Sequence, residues 1–239
     1  MRSDRGQATV VVCCGVPAGV SATDFAGWVE IAMRSRQPIT WAARPADMAV
    51  VSDVLRLKAT AYDIALALDA EQLSSRPTLR REIASARAIA GSVACVAVAG
   101  APSLEHRSLL VEQGVQTIAV GGFDAATRSS RRPAPAGWPC RSVVWGLWEV
   151  QSLPEPPRPA IGRMLPWAIG PRVAPGTLTV VHLASEADRP RSGLARLERL
   201  MTWIGRQDGR VGSACLSDLP DLLQAAGQRD TGSVLRRAA

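Results

Sequence analysis

The chain has 239 residues, 47% of them hydrophobic, and a formal net charge of +7. This is enough for one substantial core, and no apolar run reaches the ~18 residues of a membrane span. Lys58 is the only lysine, and the arginines fall in scattered pairs such as Arg80 and Arg81, Arg131 and Arg132, and Arg236 and Arg237, with few aromatics between them. That pattern reads as a basic solvated surface and falls short of a nucleic-acid footprint.

In chain order, Ala8 to Pro17 (ATVVVCCGVP) reads as a β-branched buried strand ending in a turn at Gly15 and Pro17. Ser21 or Thr23 can cap a helix carrying Phe25, Trp28, Ile31 and Ala32 at helical spacing to about Arg36. Ile39 to Ala43 is a second strand, Pro45 to Lys58 a second helix, and Tyr62 to Leu68 a third strand. A helix opened by Pro77 and stopped by Gly91 follows, with Leu79, Ile83, Ala86 and Ile89 in one stripe. Ser92 to Ala99, a helix from Pro102 and Ser103 to Gln113, and Val115 to Val120 continue the alternation, which predicts a parallel sheet with crossover helices.

Gly121 to Cys140 has loop composition, Val143 to Val150 (VVWGLWEV) reads as one strand, and Leu153 to Pro175 as a second loop. Leu178 to Ala184 is the last strong strand, and Ser192 is placed to cap a helix with Leu194, Leu197, Met201 and Ile204 on one face. An Asp208-Gly209 turn, Arg210 to Leu216, and a short helix from Asp218 to Ala226 close a single domain over 1–227, with a frayed tail over 228–239.

Five cysteines, Cys13, Cys14, Cys95, Cys140 and Cys215, show no C-x-x-C spacing. An odd, unclustered set argues against a disulfide scaffold or zinc ribbon and for reduced, buried thiols in the cytoplasm. The alternative is export: Arg2 and Arg5, the apolar run and Val20-Ser21-Ala22 resemble a secretory signal over residues 1–22, although cleavage there would remove the first strand.

The order of pieces resembles the polysaccharide deacetylases, the family 4 carbohydrate esterases that include nodulation-type chitooligosaccharide deacetylases. The resemblance is carried by YDIALAL, RREIASARAIAG, LLVEQGVQTI, WGLWEVQ, VVHLASE and the terminal RLERLMTWIGRQDGRVGSACLSDL. It covers roughly Thr9 to Leu223 and implies an α/β fold, an irregular (β/α)7 TIM-like barrel that removes acetyl groups from amino sugars with a divalent metal.

The resemblance fails where that chemistry should stand. The family's first strand ends in a base aspartate followed by a metal-binding aspartate; here those positions hold Cys13 and Cys14, with Gly15 kept. The paired metal-binding histidines correspond to Ala67 and Glu71, and the arginine that orients the base falls near 98–101, where no charge occurs. His182 alone survives, where the family places a general acid. A catalytic zinc needs three protein ligands and an open position, so hydrolysis by the family mechanism is not expected, nor is a cofactor.

Two substitutes deserve weighing. A rebuilt zinc site would draw on Cys13, Glu71 and His182, with Cys14 and Asp69 as further donors. A thiol route would have His182 deprotonate Cys13 or Cys14, whichever faces the cavity. Gly15, Asp69, Glu71 and Trp148 are expected to line the barrel mouth, and Gly15 to hold a backbone conformation that a side chain would strain. Asp63 is expected in a structural hydrogen bond or ion pair, and His106 facing solvent. The leading expectation is a degenerate barrel that binds a carbohydrate-containing ligand or a protein partner, not nucleic acid. The alternative is a hydrolase of N-acetyl amide bonds working through a metal or Cys/His site foreign to the family.

Overall fold

The computed structural model describes residues 7–58, 62–69, 71–98, 103–121, 140–144, 146–151, 153–154, 173, 177–183, 190–207 and 209–224. The loop expected at Gly121 to Cys140, most of Leu153 to Pro175, Trp145, and the tail from 228 lie outside these residues.

The β-branched run forms β1 (Ala8–Gly15), and Ser21 caps α1 (Ala22–Ser35) by accepting from the Asp24 N–H at 3.1 Å. There follow β2 (Thr40–Ala43), a single 3₁₀ turn over Pro45–Asp47, α2 (Met48–Lys58), β3 (Asp63–Leu68) and α3 (Arg76–Ala90). Next come β4 (Cys95–Val98), α4 (Leu104–Glu112) and β5 (Thr117–Val120). Gly91 and Gly114 end α3 and α4 with φ of +82° and +64°, where a side chain would be strained.

VVWGLWEV is not one strand. It divides into β6 (Cys140–Val144) and β7 (Leu147–Gln151), paired antiparallel, because Gly146 takes a φ of +84° and lets the chain reverse. Leu153–Pro154 forms a short β8 beside β9 (Leu178–Leu183), within what composition alone marks as loop. The helix α5 (Pro190–Gly205) begins at its proline, so Ser192 lies inside it and not at its cap. β10 (Val211–Ala214), a 3₁₀ turn over Leu216–Asp218 and helical residues 219–224 complete the described chain.

The ten strands form one curved, largely parallel sheet, nine of them in the order β6-β7-β5-β4-β3-β2-β1-β9-β8 and β10 beside β1, a half-barrel with crossover helices outside it. One edge of β1 is shared: its C-terminal part (Cys13–Gly15) pairs with β2, and its N-terminal part (Ala8–Val11) pairs with β10. β1 and β2 therefore splay apart toward their N-terminal ends, and the chain after β10 enters beneath the sheet.

Alternation along each strand sorts the core into two layers. Val10, Val12 and Cys14 face the helices with Phe25, Leu55, Leu79 and Leu197. The other face carries mostly small residues, Ala42, Ala65, Ala97 and Ala119 with Cys13 and Cys95, and is filled by Leu216, Leu219 and Leu223 from the C-terminal segment.

α5 packs across α1 at Gly193, where an added Cβ would lie 2.5 Å from the Trp28 ring. Trp28 is 4% exposed and has little room to retreat. Gly193→Ala is expected to destabilise the protein by about 1–3 kcal/mol, the range for forced overpacking, read as a lowered urea midpoint. An unchanged midpoint would show that the ring moves freely.

Candidate functional site

The C-terminal ends of β1, β2, β3 and β9 define the mouth. Cys13 stands in Cα register with His182 on β9 and Thr40 on β2, and it packs in the inner layer. Adjacent strand residues point to opposite faces, so Cys14 belongs to the helix-facing layer. The two cysteines cannot both serve one cavity.

Cys13, Cys14 and His182 are all buried. Burial pushes the Cys13 thiol up, with the charges of Cys14 and Asp63 adding to it. Cys14 is likewise raised by burial, only partly offset by Arg196. Burial lowers His182 to about 3. The thiolate–imidazolium pair that a cysteine nucleophile requires is thus opposed at both members, although topology sets Cys13 and His182 on neighbouring strands.

Asp69 and Glu71 are exposed in the turn after β3. The Asp69 N–H donates to Gln72 Oε1 at 3.0 Å and the Gln72 N–H donates to Asp69 Oδ1 at 2.8 Å, a reciprocal pair that fixes this turn. Asp47, buried in the turn after β2, accepts the Gly19 N–H at 2.9 Å and fixes the loop after β1; no pattern in the sequence pairs these two. Gly15 closes β1 in register with Ala42 and is not among the glycines with positive φ, so its expected strain is absent. The left-handed position in this loop is Gly19, at φ +67°.

Trp148 does not line the mouth. It pairs with Thr117, the first residue of β5, and its N–H donates to the Gln116 carbonyl at 2.8 Å, which places it at the opposite, N-terminal end of the strands. His106 is half-buried on α4, capped through its N–H by Ser103.

Among the described residues, no three His, Cys, Asp or Glu side chains are placed to hold a metal ion, and Cys13, Glu71 and His182 do not converge as a ligand set. The residues at the family's ligand positions do not fit its divalent metal: Cys13 and Cys14 face opposite layers, Ala67 offers no donor, and Glu71 stands exposed in its turn.

Two polar arrangements escape the sequence reading because their partners are far apart in the chain. At the N-terminal end of the sheet, Asp63 Oδ2 accepts from the Thr40 hydroxyl at 2.7 Å and the Ser217 N–H at 3.2 Å. The Leu216 N–H donates to Thr40 Oγ1 at 2.8 Å and the Thr117 hydroxyl donates to the Leu216 carbonyl at 3.2 Å. This network bolts the C-terminal segment into place, and it supplies the structural hydrogen bond expected of Asp63. Burial raises the Asp63 carboxyl, against the lowering effect of these hydrogen bonds. In the outer layer, Arg107 of α4 donates to Glu149 of β7 at 2.7 Å.

No family model and no curated protein matches the sequence. Solved structures do match. A candidate polysaccharide deacetylase from Mycobacterium smegmatis superposes with a TM-score of 0.63 at 13% identity, over 93% of this chain and 92% of its own. A family 4 carbohydrate esterase from Streptomyces lividans, solved with acetate, gives 0.51 at 14% identity over 87% and 92%. A mutant of a family 4 pseudoenzyme gives 0.51 at 12% identity over 90% and 68%. The chain therefore has the polysaccharide deacetylase fold, an irregular (β/α)7 barrel.

Proposed function

We propose that this chain is a divergent polysaccharide-deacetylase-like module that binds a carbohydrate-containing ligand or a protein partner without hydrolysing it by the family mechanism. The carrying observation is the rebuilt strand end. Cys13 and His182 are buried, which favours their neutral forms, and the family's ligand positions hold residues that cannot gather around a cation. A fold does not carry an activity without its site. The free thiols Cys13, Cys14, Cys95 and Cys215 fit a reducing compartment, and we place the protein in the cytoplasm. Among the described residues no helix is long and apolar enough to cross a membrane.

The test is direct. Purified protein supplied with zinc, cobalt or nickel and acetylated chitooligosaccharides is expected to release no acetate above buffer and to retain far less than one equivalent of metal after dialysis. Stoichiometric metal, or acetate release lost in Cys13→Ser or His182→Gln, would overturn the reading in favour of a hydrolase with a site of its own.

A further inference from the structure

We propose a second, independent binding site at the N-terminal end of the sheet, opposite the deacetylase mouth, for a small amphipathic molecule carrying a cationic amine. The splay between β1 and β2 opens a cavity of about 500 Å³ there, beneath α1 and beside the segment that follows β10. That is the size of a small-ligand pocket. Its apolar wall includes Val29, Met33, Ile39, Trp41 and Leu55. Trp41 is held edge-on by Phe25, with ring centroids 5.1 Å apart, so this wall is preformed.

The charged groups in the lining are Asp63, Asp218 and Arg36, an excess of one carboxylate when both acids are ionised. Both carboxylates are positioned by backbone donors, Asp63 by the Ser217 N–H at 3.2 Å and Asp218 by the Cys215 N–H at 2.8 Å. An ammonium group beside them supplies the counter-charge that burial withholds from Asp63.

The surface around the opening is also unusual. Among the described residues, four large hydrophobic side chains are exposed: Met33, Leu57, Tyr62 and Leu222. Met33, Leu57 and Tyr62 belong to the end of α1, the end of α2 and the start of β3, all at this same end of the sheet. Tyr62 and Met33 line the cavity itself, where an aromatic rim suits the apolar body of a cation.

4-Phenylbutylamine and its anionic counterpart 4-phenylbutyrate form a matched pair of probes, titrated into the full chain by calorimetry and by following the indole N–H signals in NMR spectra. The amine is expected to saturate and to bind at least about tenfold tighter than the carboxylate, the factor for one charge-assisted contact. Asp63→Asn should weaken the amine about tenfold or more. Because Asp63 also anchors Thr40 and Ser217, Met33→Trp, which narrows the opening from an exposed position, provides a second variant; it should weaken both probes together. Equal affinity for the two probes, no saturable binding of the amine, or amine binding unaffected by both variants would overturn the proposal. None of these outcomes depends on acetate release or metal retention, so this site and the deacetylase-like reading fail separately.

Discussion

Stability is expected to fall as the pH drops from about 6.5 toward about 4.5, by at most about 1.4 kcal/mol per unit from His182 alone. Burial holds the folded imidazole at about 3, while the unfolded chain protonates it near 6.5. Between those values the unfolded state binds the extra proton, so stability rises with pH through this window and is complete above it. Over two units the loss from this one group is about 2 kcal/mol, a large part of an ordinary domain's margin. Asp63 acts in the opposite sense, because its raised carboxyl keeps a proton in the fold after the unfolded chain has released it; its contribution declines as pH rises above the usual carboxylate range. Urea denaturation at a series of pH values, compared with His182→Leu, isolates the imidazole's part. The variant should show a shallower dependence between pH 4.5 and 6.5, and identical slopes would show that His182 is protonated in the folded protein.

Removing the arginine that α4 sets against β7 should cost about as much. Arg107 and Glu149 are 14% and 3% exposed in their side chains and 2.7 Å apart. Arg107→Met takes a charge-assisted hydrogen bond away from the buried Glu149 carboxylate, and a loss of about 1.5–3 kcal/mol is expected. Replacing both, Arg107→Met with Glu149→Leu, should be far milder, since the charge and its counter-charge leave together. Chemical denaturation of the three proteins decides it: a double variant as unstable as the single one would mean that the shape of the contact, and not the lost counter-charge, sets the loss.

Local signals made most of the architecture readable. The valine run of β1, the serine before α1 and the glycines after α3 and α4 act within a few residues, and the stripes Leu79-Ile83-Ala86 and Leu197-Met201-Ile204 are one-face patterns that the helices bury as expected. What was not readable depended on backbone reversal or on distance. Gly146 within an apolar run looked like a strand residue until its left-handed φ turned VVWGLWEV into a hairpin. That reversal starts β7 at the far end of the sheet, which carries Trp148 away from Asp69 and Glu71. Asp63 and Ser217 are 154 residues apart, and no short-range pattern joins them. The question of which cysteine faces inward is settled by the pairing of Cys13 with His182, a register that only the assembled sheet defines.

The divided edge of β1 also bears on how the chain is made. Its hydrogen-bonding partners include β9 and β10, which leave the ribosome only after β2 to β8 have been synthesised. The nascent chain must therefore wait with an apolar strand partly unpaired, and the closing step joins strands far apart in the sequence, the kind of long-range parallel pairing that folds slowly. Emerging chains halted before residue 211 should remain open to protease and to chaperones, and become protected once β10 and the leucines behind it are free to dock.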